Sequence, residues 1–265
     1  MAWTEIGTGF IQSLGAGGGT SNNLDTTGMD FIAIAFGYYS GSHTIIASDI
    51  TDSAGNTLIE ATHITTDDGE GATVTFYLQN PTTSTTHHWT IGVSSIFAAI
   101  AVRGWSGSTS SPLDQTNATG STGNVGGINT GSITTIENNE LIVSSCGSDG
   151  NTLLCSISDL NALQIGVVGG QSYALGLSAG VKATAGAINP SWSPDGSRRM
   201  SALVASFKGA SAPPPSGRIW VVAGNGGGLA GPSRGLAGTS ASPRRTSGLW
   251  VPPQAGKVSP VHVSR

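Results

Sequence analysis

The chain has 265 residues, 40 of them Gly, and only 10% are charged. That is far below the ~25% of an average soluble domain and too few for a long-helix or coiled-coil protein. An apolar share of 37% at net charge −4 is not the composition of a disordered chain, and no run approaches the ~18 apolar residues of a spanning helix.

In chain order, Met1-Ala2-Trp3-Thr4-Glu5 offers neither a basic nor an apolar leader, so no secretion signal is expected. A product acting outside a cell then needs another route, such as assembly into a virus particle released by lysis. Segments of four to nine residues rich in Ile, Val, Thr and aromatics follow, separated by Gly/Asn/Asp/Ser clusters. Strands are expected near 4–11, 31–39, 44–49, 57–64, 72–78, 88–94, 97–105, 131–136, 140–145, 163–168, 173–182 and 201–208. Ala72-Thr73-Val74-Thr75-Phe76-Tyr77-Leu78 alternates with period two and should bury one face. Phe31-Ile32-Ala33-Ile34-Ala35-Phe36 is apolar on both faces and suits a central strand. No window carries an amphipathic stripe of helical period. The expected class is all-β, an antiparallel two-sheet sandwich of jelly-roll type over residues 1–208.

A composition shift then marks a boundary. All fifteen acids precede residue 196, and residues 1–208 carry five basic residues, a net −10. Residues 209–265 have no acid, six basic residues and eight of the twelve prolines. This segment reads as an extended, basic C-terminal arm.

Four segments carry a resemblance. Asn22-Asn23-Leu24-Asp25-Thr26-Thr27-Gly28-Met29-Asp30-Phe31-Ile32 resembles the polar entry to the first buried strand of a sandwich domain recurrent in phage and bacterial proteins. Asp52-Ser53-Ala54-Gly55-Asn56-Thr57 is similar to that group's hairpin turn, and Trp105-Ser106-Gly107 with Ser111-Pro112-Leu113-Asp114 to its mid-domain loop. Thr134-Thr135 with Asn138-Asn139-Glu140-Leu141 resembles its entry to a late strand. The resemblance spans about residues 4–208 and excludes the arm. It rests on turn chemistry, and it implies a sandwich fold in an appendage or surface module, often on a virion.

Motifs that carry chemistry elsewhere lack their context here. Gly176-Leu177-Ser178-Ala179-Gly180 matches a nucleophile elbow, which needs a strand, a sharp turn and a helix, whereas Val181-Lys182-Ala183 continues as strand. Gly226-Gly227-Gly228-Leu229-Ala230-Gly231 is followed by Pro232 and no acid, which excludes a dinucleotide site. His87 and His88 are adjacent on a strand and point to opposite faces, so a bland histidine role is expected, as for His43 and His63. Asp67, Asp68 and Glu70 are read as a solvated acidic turn in preference to a calcium loop. Asn117-Ala118-Thr119 is a lone sequon. Cys146 and Cys155 lie across a turn-like segment and suit either a hairpin disulfide or two buried thiols. The expectation is no catalytic site, no metal and no cofactor, with the reservation that glycosidase carboxylates can come from distant strands.

The arm holds the candidate partner-binding residues. Ser216-Gly217-Arg218-Ile219-Trp220-Val221 resembles Ser247-Gly248-Leu249-Trp250-Val251, and each Trp sits in a segment too Gly-rich to build a core. Trp and Arg are favoured interface anchors, so Arg218, Trp220, Arg234, Arg244, Arg245 and Trp250 are expected to fasten the chain to a partner. Two functions compete. One is a non-enzymatic virion structural protein (capsid decoration, collar or tail appendage), homo-oligomeric and bound to other virion proteins. The other is a carbohydrate-binding module contacting host-surface glycans. Scattered basic residues and an acidic body argue against nucleic acid, and no membrane partner is expected.

Overall fold

The structure, a computed structural model, describes residues 3–210 except 40–42, 68, 70, 94–95, 150–155, 161–164, 170–172 and 195, with backbone alone over 165–169. The described part is all-β, with no α-helix and one 3₁₀ turn at Ala47–Asp49. The first half of the body contains β1 (Thr4–Glu5), β2 (Phe10–Ala16), β3 (Gly19–Thr20), β4 (Phe31–Tyr39), β5 (Ile50–Asp52), β6 (Ile59–Thr65), β7 (Gly71–Gln79), β8 (Trp89–Ile91) and β9 (Phe97–Ser106). The second half contains β10 (Ser108–Gly120), β11 (Ile128–Asn129), β12 (Ile133–Thr135), β13 (Glu140–Asp149), β14 (Ser156–Ile157), β15 (Ile165–Gly169), β16 (Tyr173–Lys182), β17 (Gly186–Ile188), β18 (Ser191–Ser193) and β19 (Met200–Gly209).

The strand orders of the two halves correspond. The first half forms a large sheet β1-β9-β4-β7-β6, with β2 also on β9, and a small sheet β3-β8-β5. The second forms a large sheet β10-β19-β13-β16-β15 and a small sheet β11-β18-β14, plus the β12-β17 ladder. If β2 to β9 are counted as eight strands, the large sheet reads 1-8-3-6-5 and the small one 2-7-4. With the β12-β17 ladder set aside, the remaining eight strands from β10 to β19 give the same order. A jelly roll of eight strands in two Greek keys differs only in seating strand 5 beside strand 4. The expected sandwich is therefore present twice, once per half, with the two large sheets face to face.

Local details repeat as well. Phe31 pairs with Trp105 and Gln79, and Leu141 pairs with Phe207 and Val181. Thr26 Oγ1 donates to the Ser84 carbonyl (3.1 Å) and accepts its N–H (3.0 Å). Thr135 makes the same pair of bonds with Gly186, at 3.2 and 3.0 Å.

Both faces of each large sheet are covered, which explains strands such as Phe31-Ile32-Ala33-Ile34-Ala35-Phe36 that are apolar throughout. Between the sheets lie Phe31, Ala33, Ala35, Tyr77 and Trp105 of the first half against Leu141, Val143, Leu175, Leu177 and Phe207 of the second. The Phe31 and Phe207 rings stand 4.7 Å apart. The outer face of the first large sheet (Ile32, Ile34, Phe36, Val74, Phe76) is roofed by Leu24, Ile50, Trp89 and Ile91. That of the second (Ile142, Cys146, Ala174, Ala202, Val204) is roofed by Ile128, Ile133, Leu160 and Trp192. Each roof carries one fully buried Trp on the middle strand of its small sheet, Trp89 and Trp192.

Hydroxyls add a polar seam across the central layer. Thr73 Oγ1 and the Tyr173 hydroxyl lie 2.7 and 2.6 Å from Ser201 Oγ, and Thr75 Oγ1 lies 2.9 Å from Ser145 Oγ. Buried hydroxyls need partners, and these pairs exist only in one register of sheet on sheet. Gly147 makes room for the seam, since a Cβ there would collide with Thr73 and the Tyr173 ring.

Two expectations are corrected. The segment 44–49 is not a strand: Asp49 Oδ2 accepts the Ile46 N–H at 2.9 Å and closes a 3₁₀ turn, and the strand begins at Ile50. The mid-domain loop around Ser111–Asp114 lies instead within the thirteen-residue strand β10. Its Ser/Thr/Asn composition hides it because it is a half-exposed edge that, among the described residues, pairs only with β19.

Candidate functional site

Two groups of buried polar side chains qualify for chemistry by residue type. The first lies under the roof of the first half. His87 Nε2 is 2.8 Å from Asp52 Oδ2, and His87 Nδ1 is 3.0 Å from Thr26 Oγ1. A hydroxyl, an imidazole and a carboxylate in a row have the order of a hydrolytic relay. Every element of it is sealed. Thr26 and His87 are 0% exposed, and the Thr26 hydroxyl is committed to Ser84. Asp52 Oδ2 also accepts the Trp89 indole N–H at 2.9 Å, while Oδ1 accepts Ala54 N–H at 2.8 Å and the Asn56 side chain at 3.1 Å. The His87 ring stacks on Trp89 at 4.4 Å between centroids. Burial pushes the Asp52 carboxyl up, but the hydrogen bond and charge of His87 together with the backbone N–H groups of Ala54 and Asn56 hold the group below its ordinary value. The geometry makes this a latch: it ties the 52–56 hairpin, the 84–89 segment and the roof Trp together.

The second group lies at one end of the second large sheet, where β10, β19 and β13 run side by side. Asp114 sits where the β10–β19 register shifts between the Leu113↔Phe207 and Gln115↔Ser206 pairs, and such bulges re-aim side chains. Its carboxylate lies 3.0 Å from Lys208 Nζ, with side-chain exposures of 3% for Asp114 and 25% for Lys208. Glu140 stands at the head of β13, fully buried, with its carboxyl beside the Asp114 and Ser206 side chains. Glu140 Oε1 is fixed by the N–H groups of Ile136 (3.0 Å) and Glu137 (2.8 Å). Glu140 Oε2 and Asp114 Oδ2 are buried without a hydrogen-bonding partner atom, as two carboxylate oxygens must be until a proton lies between them. Burial and the neighbouring Asp114 charge push the Glu140 carboxyl above the usual range.

The first half has no counterpart to this cluster. Asp30 occupies the place of Glu140, and both its oxygens are used, by Gly107 N–H (2.8 Å) and Ser108 N–H (3.1 Å). Ser106 stands where Lys208 does. Sequence reasoning missed the cluster because its members are 26 and 68 residues apart along the chain, and only the strand order β10-β19-β13 joins them.

The other candidates are placed as follows. Ser178 lies mid-strand in β16 at 0% exposure, without the turn and helix of a nucleophile elbow. His88 is half-buried, with Nδ1 3.0 Å from the Thr86 carbonyl, while His63 and His43 pair with Glu60 and Asp49. Asp67 faces Arg199 at 3.4 Å; Asp68 and Glu70 lie outside the described residues. No group of three or more His, Cys, Asp or Glu suited to a metal occurs among the described residues. The Asn117 amide of the sequon donates to the Ser132 carbonyl at 3.0 Å. Cys146 is buried in β13, and Cys155 lies outside the described residues. So do the partner-binding candidates Arg218, Trp220, Arg234, Arg244, Arg245 and Trp250, and the 226–231 glycine run. No family model, curated protein or solved structure matches the chain.

Proposed function

We propose that the chain is a non-enzymatic structural protein: a doubled jelly-roll body displayed on an assembly and attached through the basic arm 209–265. A virus particle is the assembly that the sequence resemblance suggests. The observation that carries this reading is the covering of both faces of both large sheets. A jelly-roll module that binds sugar needs an open sheet face or rim with an aromatic platform. Among the described residues the large exposed apolar side chains are Ile46, Ile59, Ile136 and Val181, none aromatic. The indoles of Trp3, Trp89, Trp105 and Trp192 are buried, so the body offers stiffness and surface in preference to a cleft. Attachment then falls to the arm, whose six basic residues complement the −10 body of a neighbouring copy or an acidic shell. The reading is tested by purifying particles from a producing culture and probing them for this chain. Co-purification in stoichiometric amount is expected, and its absence from particles would count against the reading.

A further inference from the structure

We propose that the Asp114, Lys208 and Glu140 side chains form a self-processing site that joins Lys208 Nζ to Asp114 Cγ as an amide, stapling β10 to β19. The inference does not rest on the assembly reading, because its test reads only covalent structure.

Three observations point the same way. Lys208 Nζ already lies 3.0 Å from Asp114 Oδ1, so the amine is held against the carboxyl it would attack, and proximity of this kind offsets much of the entropic barrier of a bimolecular step. The acceptor carboxyl is 3% exposed, so water neither competes as a nucleophile nor hydrolyses the product readily. A third carboxyl, fully buried, is held by two backbone N–H groups through one oxygen and presents the other, without a hydrogen-bonding partner atom, beside Asp114. Asp30, at the corresponding place in the first half, spends both its oxygens on backbone N–H groups and has no facing carboxyl.

The step balances without any co-reactant. The Lys208 ammonium passes a proton across the contact to Asp114, giving a neutral amine and a neutral acid. The hydrogen bond to Asp114 raises the Lys208 pKa, so this transfer runs uphill and the amide bond that follows draws it forward. The amine lone pair attacks Cγ to give a tetrahedral centre. Glu140, whose carboxyl burial pushes towards the protonated form, gives its proton to the departing hydroxyl and takes one from the nitrogen. The Nζ–Cγ bond forms, a Cγ–O bond breaks, one water leaves, and Glu140 is regenerated. Glu140 acts as a general acid and base, and nothing is oxidised or reduced.

The product ties the first strand of the second jelly roll to its last, at the point where the chain passes into the arm. Pull on the arm is then borne by a covalent bond between neighbouring strands instead of by the end of the β19 ladder.

Intact-mass spectrometry of the full chain, followed by proteolytic mapping, tests this. The wild-type protein is expected to be lighter than its sequence by one water, and digestion should yield a branched peptide containing both Asp114 and Lys208. Lys208→Arg and Asp114→Ala should each have the mass of their sequence. Glu140→Gln, whose amide can still bond to Asp114, should show strand circular dichroism like that of the wild type yet remain uncrosslinked. Full sequence mass in the wild type, with the two residues recovered in separate peptides, would overturn the proposal. A branched peptide that persists undiminished in Glu140→Gln would overturn the role given to Glu140.

Discussion

At the residue scale the most telling position is Asp52. It accepts bonds from His87, Trp89, Ala54 and Asn56, so one carboxylate closes a hairpin and secures the roof indole. Removing one partner of a buried pair leaves the other charge uncompensated, a loss of about 3–5 kcal/mol. His87→Ala is therefore expected to destabilise the body by about 3 kcal/mol or more, read from urea unfolding. Asp52 has a lowered folded pKa, so its contribution is present above its unfolded value of about 3.9. That contribution is lost as pH falls through the folded value. Thermal unfolding should show an acid-side drop in the wild type that is absent in Asp52→Asn. None of this was legible beforehand: His87 reads as an unremarkable strand histidine, and only the Leu24↔His87 bridge turns its ring inward.

At the element scale, what decides an element's visibility in the sequence is how many faces it buries. Strands β4 and β16 have the ends expected from the sequence, Phe31–Tyr39 and Tyr173–Lys182, because apolar runs bounded by turn residues leave little freedom. β10 is longer than either and was hidden, since an edge strand can be polar on much of its surface. Two changes probe these elements. Gly147→Ala on β13 would drive a methyl group into Thr73 and Tyr173, and such overpacking costs about 1–3 kcal/mol. The same change at Gly196, where nothing lies within reach of a Cβ, should be milder, with only its φ of +93 to strain. In a Lys208→Arg chain, which cannot form the amide, Glu140 has a raised folded pKa. Its stabilising effect is complete below the unfolded value of about 4.3 and declines as pH rises through the folded one. Lys208→Arg should thus lose thermal stability, relative to Lys208→Arg with Glu140→Gln, as pH rises from the unfolded value through the raised folded one.

At the scale of the whole molecule, the all-β class and the jelly-roll type were legible from strand spacing, but the doubling was not. Both strand-entry segments, Asn22–Ile32 and Thr134–Leu141, stand out in the sequence, yet they share few residues. What repeats is burial. Phe31 answers to Leu141 and Trp105 to Phe207, pairs alike in volume and register and unlike in identity. The candidate site was illegible for a related reason: Asp114, Glu140 and Lys208 meet only because strands one, three and eight of the second jelly roll are neighbours.

On the proposed reading, attachment of the chain falls to residues 209–265. Each indole of Trp220 and Trp250 can bury up to ~200 Å², about 5 kcal/mol at ~25 cal/mol/Å² before the cost of ordering a Gly/Pro-rich arm. Replacing both by Ala should weaken incorporation more than replacing Arg244 and Arg245 at high salt, where charge is screened. The most direct measurement is the occupancy, in purified particles, of a chain truncated after residue 208. The account predicts a folded body with the strand circular dichroism of the full protein and no incorporation; incorporation at full occupancy would contradict it.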